Sequence, residues 1–160
     1  MIRATTVGAR FLLIRRMDDV MAHPPYEVLE HTADVGLRIY GGSLPELFAN
    51  AGLGLMALAI EPRRLNEREY LPLSVIAPDV EQLLVNWLSE ILYFVDAEGW
   101  AFSRFSITKC DSTTVVAEGW GQCLDAASRP RAVAVKAITY HQLSVRETPD
   151  GFEAAVYFDI

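Results

Sequence analysis

"VGLRIYGGSLPELFANAGLGLMALAI", Val35 to Ile60, changes period in mid-course, and that change decides the fold. Up to Gly41 apolar and polar residues alternate at the two-residue period of a half-buried strand. Beyond the Gly41-Gly42 turn, Leu44, Leu47, Phe48, Ala51, Leu55 and Leu58 form a stripe at helical spacing. Ser43 and Glu46 have capping-box spacing and Pro45 lies in the first turn. Gly52 and Gly54 lower the helix's intrinsic propensity and would let another backbone approach closely, so the helix should depend on packing against a sheet.

Upstream, Pro24-Pro25 stops any helix and hands an extended chain to "YEVLE", Tyr26 to Glu30, which alternates in the same way. Downstream, "EYLPLSVIA" reads as a strand that Pro72 confines to an edge or an end. Asp79 then caps a second helix with Gln82 at its third position, and Leu83, Leu84, Trp87, Leu88, Ile91, Leu92 and Val95 line one side of it. Four strand-like segments follow, "WAFSRFSITKC", "STTVVAEGWGQ", "AVAVKAITYHQLSVRE" and "GFEAAVYFDI", with turns at Asp111-Ser112 and Pro149-Asp150-Gly151. The expected class is α+β: a single compact domain of mostly antiparallel β-sheet packed with two amphipathic helices. The expected organisation is an extension over residues 1–25, weakly ordered, and one domain over 26–160.

Composition narrows the function. Of 160 residues, 51% are hydrophobic and 22% charged, enough for one sizeable core. A net charge of -7 argues against a protein that grips nucleic acid by neutralising phosphates. The run Phe11 to Ile14 is too short for a signal-peptide core or a membrane span, so no membrane partner is expected. Cys110 and Cys123 fall in segments expected to be neighbouring strands, where they could lie close together. Two thiols make neither a disulfide framework nor a zinc site, and they favour a reducing, cytoplasmic setting.

No phosphate-binding Walker loop, dinucleotide glycine fingerprint or HExxH motif is present. With two cysteines and three histidines, a soft-metal cage is hard to assemble. What stands out is a set of polar residues expected where strands begin or end: His31, Thr32 and Asp34; Lys136 and His141; and Asp159. Singly, each has a bland account as a cap, a core histidine, a solvated lysine or a frayed end. Asp159 is the least ordinary. It follows the apolar Val156-Tyr157-Phe158, which ties it into the sheet beside the terminal carboxylate of Ile160. Clustered oxygens of this kind favour hard cations such as Ca²⁺, Mg²⁺ or Mn²⁺.

The blocks "YEVLEHTADVGLRIYG", "LPELFANAGLGLMAL", "LLVNWLSEILY", "KAITYH" and "VYFDI" resemble, in order and spacing, the archease family from Tyr26 to Ile160. The resemblance implies a small cytoplasmic α+β protein that is not itself an enzyme. Such a protein activates the RtcB-type RNA ligase in tRNA splicing and RNA repair, promoting guanylylation of the ligase histidine and repeated turnover. By the same resemblance, Asp34, Asp159 and the main-chain carbonyl of Ile160 match the metal site, and Lys136, with the two aspartates, matches residues needed for activation. His31, Thr32 and His141 match the same motifs and would orient the carboxylates. The implied cofactor is a divalent metal, Ca²⁺ in vitro, with Mg²⁺ or Mn²⁺ as alternatives. The implied partner is the ligase, with GTP and RNA met only through it. Two other readings compete: a chaperone-like protein-binding module using exposed apolar helix surface, and an independent metal-dependent hydrolase. The second lacks an identifiable general base.

Overall fold

The computed structural model describes residues 23–30, 33–60, 64–125 and 133–160. The expected extension up to residue 22, and His31 and Thr32, lie outside the described residues. In chain order the elements are β1 (Tyr26–Glu30), β2 (Asp34–Gly41), α1 (Leu44–Ala59), β3 (Glu69–Ile76), α2 (Val80–Asp96), β4 (Trp100–Cys110), β5 (Thr114–Cys123), β6 (Ala137–Thr148) and β7 (Gly151–Asp159). The expected α+β architecture is present, with the strands divided between two sheets. One has the order β1-β2-β7-β6 and the other β3-β5-β4, and every recorded pairing is antiparallel. β3 is an edge strand, as Pro72 requires.

Both helices join the two sheets: α1 packs against β2 and β4, and α2 against β6 and β3. The stripe read from the sequence is the buried face of α1, since Leu47, Phe48, Ala51 and Leu55 are fully buried. Leu83, Leu84, Trp87, Leu88 and Ile91 do the same for α2. Trp87 ties the helices together, its indole N–H donating to the main-chain oxygen of Phe48 at 2.8 Å while its ring meets Phe105 edge-on. Such a bond satisfies the one polar atom of an otherwise apolar side chain inside the core.

Local chemistry matches expectation at the helix starts, with differences in detail. The Glu46 amide donates to Ser43 Oγ at 3.3 Å, but the return arm, Glu46 Oε2, accepts from Gly42 rather than from Ser43. Asp79 Oδ1 accepts from the Gln82 amide at 2.8 Å, whereas the Gln82 side chain turns away to Asn86 and to the Tyr140 hydroxyl. The glycines of α1 admit side chains, not another backbone. A Cβ at Gly52 would come 2.5 Å from the Phe105 ring, and one at Gly54 would come 2.8 Å from Leu37 Cδ1.

The cysteines do lie on neighbouring strands but are not close. Cys123 pairs with Trp100 at one end of β4, and Cys110 sits at the other end opposite Val115. Ten residues of extended strand separate those ends by roughly 33 Å, and both thiols are free. Burial, with the Asp111 carboxylate adding to it, pushes the Cys110 thiol up to about 11.

Candidate functional site

β2 begins, β7 ends and β6 begins at the same edge of the four-stranded sheet. This juxtaposition follows from burial. In β2, Val35, Leu37 and Ile39 are buried, and in β7 Ala154, Val156 and Phe158 are buried, so the apolar residues of both strands face the helices. The period of two then leaves Asp34, Gly36 and Arg38 on the opposite face, together with Glu153, Tyr157 and Asp159. The register sets Asp34 directly opposite Asp159, and Asp159 also pairs with Ala137.

Lys136 closes the group from the third strand. Its main-chain N–H donates to the Asp159 carbonyl at 2.8 Å, continuing the ladder just before β6 begins. Its ammonium, Nζ, donates to the main-chain oxygen of Ile160 at 3.3 Å. Asp34 is half-buried, while Lys136, Asp159 and Ile160 are exposed. The structure therefore brings together Asp34, Lys136, Asp159 and Ile160.

His141 is placed differently from expectation. It lies inside β6, not at an end, within the irregular stretch between Thr139 and Ser144 where the pairing with β7 shifts register. The next residue, Gln142, has a φ of 52°, so the strand is locally kinked. The His141 amide donates to Thr139 Oγ1, and its ring meets that of Tyr157, centroids 6.2 Å apart. Tyr157 precedes Asp159 by two residues on the same face, so His141 touches that face through the Tyr157 ring, four residues along β6 from Ala137, the partner of Asp159.

Tyr157 is the neighbour that sequence reasoning passed over. Its signal is Gly36, which pairs with it across the ladder and whose absent side chain makes room for the ring: a Cβ there would come 2.8 Å from Tyr157 Cε1.

Among the described residues, no three His, Cys, Asp or Glu side chains form a metal-holding group. A cation at this edge would rest on two carboxylates and main-chain oxygen, completed by water. That donor set is hard, suited to Ca²⁺, Mg²⁺ or Mn²⁺ and not to zinc. Two features of the structure fit such an ion. Like charges directly opposite each other on neighbouring strands are destabilising unless offset, and the Ile160 oxygen already receives a cation, the Lys136 ammonium. Elsewhere, among the described residues, no helix is long and apolar enough to cross a membrane.

Residues 26–160 match the model of the Archease protein family (MTH1598/TM1083). The chain is 34% identical over 139 residues to a protein archease of Methanosarcina barkeri, covering 84% of this chain and 95% of that one. It is 39% identical over 136 residues to a protein archease of Saccharolobus islandicus, covering 84% and 98%. Among solved structures, the solution structure of Methanobacterium thermoautotrophicum protein 1598 superposes with a TM-score of 0.73 at 27% identity, covering 85% of this chain and 99% of that one. The crystal structure of an archease, possible chaperone, from Thermotoga maritima shares the fold at a TM-score of 0.54 and 22% identity, covering 86% and 99%. With its family match running from the first strand to the last residue, this chain belongs to the archease family.

Proposed function

We propose that this protein is a non-enzymatic activator of an RtcB-type RNA ligase and acts through the edge formed by Asp34, Asp159, Ile160 and Lys136. The observation that carries the reading is the meeting of three strand ends, which puts two carboxylates opposite each other beside a lysine in a protein of this family. Asp34, Asp159 and the Ile160 oxygen would hold a divalent cation. When bound, that cation would supply charge neutralisation at a phosphate whose charge grows as a ligase histidine attacks GTP. Lys136 would meet phosphate or a ligase carboxylate directly. His141, whose ring meets that of Tyr157, would act on the carboxylates only through that residue. The acidic charge of the chain favours approach to the basic RNA-binding cleft of a ligase, with GTP and RNA met only there, in the cytoplasm.

Transfer of radiolabelled GMP to the cognate ligase tests this. The initial rate and the number of turnovers should rise when the protein is added, and the protein alone should ligate nothing. An unchanged rate at saturating concentration would remove the reading.

The chaperone-like reading draws on Ile76, Tyr140 and Tyr93, the first 73% exposed. The apolar stripes of both helices, however, are consumed by the core, and of the large apolar side chains on these two helices Tyr93 is the exposed one. Suppression of aggregation of an unrelated unfolding protein, unaffected by changes at Asp34 or Asp159, would favour this second reading.

A further inference from the structure

The oxygen assigned above to a divalent cation is the one that the Lys136 ammonium touches at 3.3 Å. We infer that Lys136 and the cation compete for this edge: the ammonium stands over the Ile160 oxygen when no metal is bound, and arrival of the metal drives it outward. This deepens the activator reading and rests on its assignment of Asp34, Asp159 and Ile160 as the cation site.

The reasoning is electrostatic. A calcium ion bonds oxygen at about 2.3–2.6 Å, so an ion on the Ile160 oxygen would lie within about 6 Å of an ammonium left in place. A single and a double positive charge at that separation repel appreciably even in water. The lysine has freedom to leave, because it is exposed, its stem is flexible, and its backbone is anchored separately by the bond from its amide to Asp159. Without metal the ammonium offsets part of the repulsion between the opposed carboxylates. With metal it is released as a positive charge at the rim of the edge, where it can meet a phosphate or carboxylate of the partner.

The two events are thermodynamically linked: whatever the lysine costs the metal, the metal costs the lysine's contact. Metal binding would therefore act as a switch that presents Lys136, and the partner would meet the lysine together with the loaded edge.

Calcium titration of the full chain without ligase, followed by calorimetry at fixed ionic strength, reads this coupling. Lys136→Gln should bind Ca²⁺ on the order of tenfold more tightly than wild type, as expected for removal of one nearby positive charge. Lys136→Arg keeps the charge and should stay close to wild type. Unchanged or weaker binding in Lys136→Gln would overturn the competition, and so would Lys136→Arg binding as tightly as Lys136→Gln. Absence of Ca²⁺ binding in all three proteins would overturn it together with the cation site. None of these outcomes decides whether the protein activates a ligase, which GMP transfer reads separately.

Discussion

Asp34, the first residue of β2, and Asp159, the last of β7, pair directly across the ladder, which puts both side chains on the face away from the helices. In a sheet built only for stability this is an unfavourable choice. It is explicable at a site that receives a cation.

Removing one charge should therefore stabilise the metal-free protein while abolishing its response to metal. Asp34→Asn is expected to gain about 0.2–1 kcal/mol in calcium-free buffer, the range for opposed like charges on neighbouring strands. Added Ca²⁺ should raise the melting temperature of wild type, because a ligand that binds only the folded state stabilises it, and leave Asp34→Asn and Asp159→Asn unmoved. Equal calcium shifts in all three proteins would place the ion elsewhere.

Lys136 should separate folding from activation. Lys136→Ala removes an exposed ammonium and leaves both helix faces and the sheet intact, so its effect on stability should stay within about 0.5 kcal/mol. Loss of a hydrogen-bonded charge contact with the ligase typically costs about 2–5 kcal/mol, thirtyfold or more in rate or binding. Thermal melts paired with GMP-transfer rates check this. Full activation would return Lys136 to a solvated charge, and a collapsed melt would make it structural.

The two α1 glycines should differ. Alanine gains about 1 kcal/mol of helix propensity over glycine at either site, but at Gly52 the new methyl meets the ring of Phe105, itself wedged against Phe102 and Trp87. Overpacking of that kind costs about 1–3 kcal/mol. Gly54→Ala meets the end of the Leu37 side chain, which can turn aside more easily. Urea unfolding should find Gly52→Ala clearly less stable than Gly54→Ala, and the reverse order would mean that Phe105 moves more freely than its neighbours imply.

The thiols should react at different rates. With its pKa pushed up to about 11 by burial and by Asp111, Cys110 carries little thiolate at pH 8, and the thiolate is the reactive form. Cys123 is exposed. Iodoacetamide at pH 8 followed by peptide mass mapping should modify Cys123 well before Cys110. Rates that become similar only above about pH 11 agree with this, whereas equal rates at pH 8 would not.

Much of the fold was legible because its signals are local. The switch from a period of two to helical spacing at Gly42 marks β2 and α1, Ser43 and Asp79 each bond the amide three residues on, and Pro72 marks an edge strand. The division into two sheets was not legible, since strand pairing joins segments distant in the chain and leaves no local mark. The same limit explains the cysteines: membership of neighbouring strands was readable, but the register that puts them at opposite ends was not. The sequence marks His141 as a polar residue at a strand end, and only the register shift beside it puts it at a kink inside β6.

By itself the sequence determined which residues face inward on β2 and on both helices, because burial of apolar side chains imposes its period on the chain. It also held, in its blocks from Tyr26 to Ile160, the family to which the protein belongs. The tertiary structure decided that Asp34 meets Asp159 and that Lys136 reaches Ile160. A slip of one residue between β2 and β7 would turn Val35, Leu37 and Ile39 out of the core, so the buried faces lock the register and with it the opposed carboxylates at the edge.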